Sequence, residues 1–322
     1  MSLSNGLPDD LPWTRHQAFL LLDGATISDL PTRLKQISPS VSTFALYDQP
    51  PFAALRDLSP LLVAIERADE PLARFFLQHA AQEWGVLLFS CAPMHSVGEH
   101  LCKLLSVELP AGQSALLRLA DAGVVHALYA SGDQRLFGPL TCVVTADCVN
   151  DAWHVHRPRQ AECPELPVPY CLNPEQNAAL DQVDRRRALL DLDAHLLKHF
   201  SRFHFGETLT QRWPTLQQME AQASALGLSS RSELFNFANL LALLDSRDIA
   251  QHLQIHHLFH TPSLQSPGER LTLAVDVAQR WASRRERPRP IPPSSTLPPP
   301  RKPPSLRPRL ARCNKPMCNC CR

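Results

Sequence analysis

Short apolar runs alternate with segments of helical period across the first 140 residues of this 322-residue chain. Phe19-Leu20-Leu21-Leu22 is continuous and closed by Asp23-Gly24, which predicts a strand and then a turn. Ser42–Tyr47, Leu61–Ile65, Trp84–Phe89, Ala115–Leu119 and Leu140–Ala146 are predicted strands of the same kind. Trp84–Phe89 is apolar throughout, so both its faces should be covered. Between the strands the spacing predicts helices. One starts at Ser28, with Ser28 or Asp29 as cap and Pro31 in the first turn. Others cover Phe52–Leu58, the segment opened by Pro71 with Leu72, Phe75 and Phe76 at helical spacing, Val97–Val107 and Ala122–Ala130. Such alternation argues for an α/β lobe with a mixed or parallel sheet over residues 13–150, with α+β as the variant if short links make some pairs antiparallel.

The pattern then changes. Residues 151–173 carry Pro158, Pro164, Pro167 and Pro169 with little periodicity, the composition of a linker. Asn173-Pro174-Glu175-Gln176 follows as a helix start, with Asn as cap and Gln as its box partner. Leu180, Val183, Leu190, Ala194, Leu197 and Phe200 give that helix one apolar face. Further helices are expected at Leu216–Leu226 (stopped by Gly227), from Ser230 with a Ser230/Glu233 box, at Ile249–Leu258 and at Pro267–Arg284. Residues 174–285 therefore form an all-helical lobe. Residues 286–322 are a Pro/Arg-rich tail, too poor in apolar residues to bury a core and expected to be disordered.

Composition sharpens this only in places. Hydrophobic residues make up 44% of the chain, enough for a sizeable core. No apolar stretch has the length of a membrane helix, and the first residues lack a charged-then-apolar leader pattern, so a cytoplasmic location and no membrane partner are expected. Six cysteines are scattered singly and read as reduced, small hydrophobic residues. The net charge of +1 conceals an asymmetry: from Arg284 onward eleven Lys/Arg face only Glu286, while the preceding residues carry 21 basic and 30 acidic side chains. An acidic body argues against nucleic acid as a partner.

Seven small motifs stand in order along the first half. They are Leu21-Leu22-Asp23-Gly24, Leu46-Tyr47, Ser59-Pro60-Leu61-Leu62-Val63, Trp84-Gly85, the helical Leu101, Leu104, Leu105 and Val107, Arg118 with Asp121, and Phe137-Gly138-Pro139. This ordered set resembles the TEC family of effector-associated adaptors, or chaperones, of bacterial type VI secretion. The likeness covers about residues 17–150, with a weaker helical echo to about 285. The family usually has Asp-Pro-Arg where this chain has Asp121-Ala122-Gly123, so a turn proline and a basic residue are missing. The resemblance implies a non-enzymatic adaptor that binds a type VI effector and helps load it onto the VgrG spike. It marks Asp23, Gly24, Tyr47, Pro60, Trp84, Gly85, Arg118, Asp121, Gly138 and Pro139 as structural or partner-binding positions.

Chemistry competes weakly with that reading. Cys313, Cys318, Cys320 and Cys321 could supply four thiolates to a soft metal or act in thiol redox chemistry, but their spacing is unlike a zinc knuckle. His252, His256 and His260 repeat at i, i+4 without the Glu a zinc protease needs, and His154 and His156 should share one side of a strand. Cys91 after the central strand, with His95 nearby, offers a Cys/His hydrolase as the alternative function. No phosphate-binding loop, dinucleotide fingerprint or nucleophile elbow occurs, and no cofactor is expected. An exposed basic patch, Arg185, Arg186 and Arg187, with Phe235 and Phe237, is the expected effector contact on the helical lobe.

Overall fold

The computed structural model describes residues 3, 6–160, 163–203 and 205–286. In chain order the first lobe contains β1 (Gln17–Leu22), α1 (Leu30–Ile37), β2 (Thr43–Ala45), a 3-10 turn at Ala53–Leu58, β3 (Leu61–Ile65), α2 (Pro71–Gln78), β4 (Gly85–Ser90) and α3 (Met94–Leu104). It continues through β5 (Ser106–Glu108), β6 (Ser114–Leu116), α4 (Ala122–Ala130), β7 (Leu140–Asp147), β8 (Ala152–His156) and β9 (Tyr170–Cys171). The second lobe is helical: α5 (Pro174–His199), α6 (Leu209–Ala225), α7 (Arg231–Leu244), α8 (Leu253–His260) and α9 (Pro267–Glu286).

A mixed sheet region followed by a helical region is the architecture the sequence predicts. Its detail is less regular. The six-stranded sheet runs β2-β3-β1-β4-β7-β8, antiparallel at every pair. A three-stranded sheet, β6-β5-β9, adds one parallel pair, β5 with β9. Side chains of the large sheet alternate between two cores, as the strand period of two requires. Phe19, Leu21, Leu62, Val86, Leu88 and Val143 face α3 and α4. Leu20, Leu22, Val63, Leu87, Phe89 and Val144 face α1 and α2. The covered β4 strand is buried at every position, which explains its unbroken apolar sequence.

Several elements differ from expectation. Residues 151–173 hold two strands: β8 closes one edge of the large sheet, and β9 pairs with β5. Prolines flank these strands without interrupting them, since edge strands need few ladder donors. Trp84 precedes β4 instead of opening it and is half-buried. Its ring stacks on His79 at 4.0 Å. Asp29 caps α1 in a left-handed conformation, and neither its side chain nor that of Ser28 makes a cap hydrogen bond. The strand at Ala115–Leu119 stops at Leu116, and Val107 leaves the predicted helix to join β5. Helix α6 begins at Leu209, before Pro214, because a Thr208/Gln211 capping box starts it upstream of the proline.

Helix α5 joins the lobes. Its start is the predicted Asn173/Gln176 capping box. Near its first turns Val183 packs into the α/β core; further on Leu189, Leu192 and Leu196 pack into the helical core. The buried stripe is offset from the predicted face: Ala194 and Leu197 are exposed, and Asp193 is buried. The offset is possible because Arg212 of α6 meets Asp193 with two hydrogen bonds of 2.6 and 2.7 Å. A buried carboxylate is tolerated when it is so paired.

Candidate protein-interaction site

Four of the motif residues, Asp23, Tyr47, Pro60 and Arg118, converge on one small pocket of about 150 Å³ at the end of β1. The turn after β1 makes this possible. Asp23 is buried, and its carboxylate accepts from Ala25 N at 2.9 Å and Thr26 Oγ1 at 2.7 Å. Those bonds close the turn, as Asx side chains do. The same carboxylate accepts from Arg118 Nη2 at 2.5 Å, and Thr26 Oγ1 lies 3.3 Å from that nitrogen. Gly24 is required by contact: a Cβ there would stand 2.2 Å from the Ser59 carbonyl oxygen. Ser59 in turn accepts from Tyr47 N at 3.0 Å, and Leu46 N donates to Pro60 O at 3.1 Å. Burial first, and Asp23 second, push the Tyr47 phenol above its ordinary pKa, so it stays a neutral pocket wall.

The rim is apolar and open. Leu55 and Leu58, three apart on the 3-10 turn, are 40% and 49% exposed, and Leu116 of β6 is 41% exposed. These three leucines therefore surround an arginine held in place by a buried carboxylate.

The other motif residues hold the frame. Gly85 lets β4 approach β1, since a Cβ would meet Leu21 O at 2.3 Å. Trp84 O accepts from Asp23 N at 2.9 Å. Gly138, at φ +48°, leaves room for the buried His100 ring, whose Nε2 lies 2.8 Å from Leu136 O. Pro139 O accepts from Ser90 Oγ at 2.7 Å. Asp121 caps α4 through Val124 N at 3.1 Å and pairs with Arg187 of α5. Gly123 stands where the family usually has its basic residue. A Cβ at Gly123 would lie 3.2 Å from Val183, so the glycine admits α5 close to α4.

A second, larger cleft of about 650 Å³ lies between α4, the end of β7, and helices α5 and α6. Arg186 spans its floor, donating to Glu83 at 2.8 and 2.5 Å and to Asp147 at 3.2 Å. Burial pulls the Arg186 pKa down, and Glu83 and Asp147 more than restore it, so the guanidinium stays charged. His154 and His156 do share one side of β8, and His126 of α4 meets both. The His126 and His154 rings lie 4.0 Å apart, and His126 Nδ1 is 3.2 Å from His156 Nε2. Asp147 holds His154 Nε2 at 3.2 Å. Neither His126 nor Glu83 carries a local signal in the sequence, because each lies far along the chain from its partners. The left-handed backbone at Glu83 is the local oddity that turns its carboxylate to Arg186.

The expected Arg185–Arg187 patch is not an exposed one. Only Arg185 is mostly exposed, and it pairs with Glu220 at 3.1 Å; Arg186 and Arg187 are spent on the other lobe's carboxylates. Phe237 is fully buried in the helical core, so it presents no surface, while Phe235 is half-buried beside His195 and Arg231. Cys91 is exposed, and His95 pairs with Glu99 at 3.3 Å; no hydrogen bond joins Cys91 to His95. His252 falls before α8, apart from the stacked His256 and His260. Among the described residues no group of three metal-ligating side chains is placed to hold an ion, and no helix is long and apolar enough to cross a membrane. Cys313, Cys318, Cys320 and Cys321 lie outside the described residues.

These features define a two-lobe scaffold with an apolar-rimmed pocket in its sheet lobe. Residues 18–136 match the family described as "Domain of unknown function (DUF4123)". The chain is 28% identical over 279 residues to "Accessory protein VasW" of Vibrio cholerae serotype O1, an alignment covering 82% of this chain and 88% of that protein. No solved structure gives a significant match. The matched residues 18–136 lie in the sheet lobe, and DUF4123 is the TEC adaptor family of type VI secretion that the strand motifs resemble.

Proposed function

We propose that this protein is a non-enzymatic adaptor that binds a type VI effector in the cytoplasm and promotes its loading onto the VgrG spike. The observation that carries this reading is the pocket at Asp23 and Arg118. Motif residues from four separate segments meet there, and the result is a fixed cation inside a ring of exposed leucines. Such a surface suits recognition of another protein: a partly polar, modest interface with an apolar centre. Likeness to a protein named as accessory, over most of both chains, supports a helper role in secretion. The helical lobe, clamped to the sheet lobe through Arg186 and Arg187, supplies a second surface for the other partner.

Affinity capture tests this. The tagged chain, purified from its native host, is expected to bring down one large toxin-like effector together with a spike protein. Recovery of neither by the folded chain overturns the reading.

A further inference from the structure

We propose that the Arg118 pocket receives an extended segment of the partner protein by strand addition to β6, seating one large apolar side chain of that segment in the pocket and one side-chain carboxylate on Arg118. This rests on the adaptor reading and names the chemistry that the partner must bring.

Three observations lead to it. Arg118 uses only Nη2 within the protein, on Asp23 and Thr26; its Nε and Nη1 donate to nothing among the described residues. A guanidinium held in place by a buried carboxylate with two donor groups unspent is a preorganised carboxylate receptor. The pocket beside it, about 150 Å³, has the size of a single large apolar side chain, and its rim leucines are already exposed. Finally, β6 is the outer strand of its sheet, so one row of its backbone donors and acceptors has no ladder partner among the described residues, and Leu116 at its end lines the pocket. Strand addition takes its affinity from such an edge and its specificity from pockets for alternate side chains.

A side-chain carboxylate suits the site better than a chain terminus. Capture of a terminus uses a nest of backbone N–H groups. Here three N–H groups of the neighbouring turn are spent: Ala25 N on the Asp23 carboxylate, and Thr26 N and Ile27 N on the Asp23 carbonyl.

The test selects a display library of short random segments, tethered so that no free carboxylate end is presented, on the full chain. The surviving segments should pair Asp or Glu with Leu, Ile, Phe or Met two positions away, the spacing that puts both on one face of a strand. A synthetic, end-capped survivor should bind at least about tenfold more weakly to Arg118→Ala and to Leu58→Glu, a hot-spot-sized loss. Leu58→Glu changes an exposed side chain and should melt like the parent, which guards against a folding artefact at Arg118. Survivors without acidic residues, binding unchanged in both variants, or binding only by peptides with a free carboxylate end would each overturn the proposal. Host capture with Leu58→Glu separates it from the adaptor reading. A parent chain that captures its effector while Leu58→Glu captures it equally well sinks the site alone; a parent that captures no secretion component sinks the reading beneath it.

Discussion

Arg186 of α5 grips Glu83 of the sheet lobe with both guanidinium ends, Nη1 at 2.8 Å and Nη2 at 2.5 Å, across 103 residues of sequence. Glu83 also accepts from Cys148 N at 2.8 Å, so its carboxylate ties α5, β4 and the end of β7 at one point. With the Arg187–Asp121 pair it joins the helical lobe to the sheet lobe. Both side chains are largely buried; Arg186→Ala strips Glu83 of its charge partner, and Glu83→Ala leaves Arg186 with only Asp147, at 3.2 Å. Glu83→Ala or Arg186→Ala should each cost about 2–4 kcal/mol, toward the lower side of values for fully buried pairs because some solvent reaches this one. The double substitution should cost less than the sum of the two, leaving a coupling of about 1–2 kcal/mol in a denaturant-melt cycle. Strict additivity would show that the pair does not couple the lobes.

Much of the fold was legible in the sequence. Strand β3, helices α2 and α4, and the capping boxes of α5 and α7 stand where the residues predict them, because each is coded by neighbours in the chain. What was hidden depends on distant partners. Asp193 reads as a surface residue until Arg212 is known to face it, and Arg186 and Arg187 read as an exposed patch until Glu83 and Asp121 are brought to them. Phe237, offered as surface, follows the same helical period as the buried Leu234 and Leu241 and belongs with them. The pocket itself was half legible: Asp23, Tyr47, Pro60 and Arg118 stand in the ordered motifs, but Leu55, Leu58 and Leu116 carry no signal that distinguishes them from core leucines.

The imidazole cluster at the lobe junction makes stability depend on pH. Burial lowers the His126 pKa, helped by nearby His154, and burial with both other imidazoles lowers His156 to about 4. Unfolded histidine titrates near pH 6.5. The unfolded chain therefore binds protons that the folded chain refuses, and stability falls as pH drops below about 6.5 and continues to fall to about 4. Protonation of both His126 and His156 would also leave two donors facing each other across their 3.2 Å contact. Because these rings are partly exposed, the loss between pH 7 and pH 5 should be only about 1–2 kcal/mol. Asp147 acts in a lower window. Burial would raise its pKa, but bonds from Asn150 and His154 and the charge of Arg186 hold it at about 2, so its contribution persists above 3.8 and is lost as pH falls toward 2. Thermal melts at stepped pH should show the first loss in the parent and a shallower slope in His156→Gln. Equal slopes would remove the cluster as the cause.

The buried pair inside the helical lobe gives a contrasting case. Asp193 and Arg212 are each about 8% exposed and share two hydrogen bonds, and Arg212 Nη1 also donates to Glu207 O at 2.9 Å and Gly206 O at 3.3 Å. Arg212 thus satisfies the carbonyls that lead into α6 as well as the carboxylate on α5. Asp193→Ala leaves a buried cation partly unpaired and should cost about 3–5 kcal/mol. Asp193→Leu should cost no less, since the added apolar volume does nothing for the guanidinium. Asp193→Leu with Arg212→Met removes both charges, yet the Glu207 carbonyl loses its Arg212 donor. The double variant should therefore recover most of the loss and remain at most about 1 kcal/mol below the parent, the worth of an ordinary hydrogen bond lost at the exposed Glu207. Urea melts of the three variants decide the matter: full recovery in the double variant would mean that the carbonyl contacts contribute nothing, and no recovery would mean that the ion pair was never the larger part.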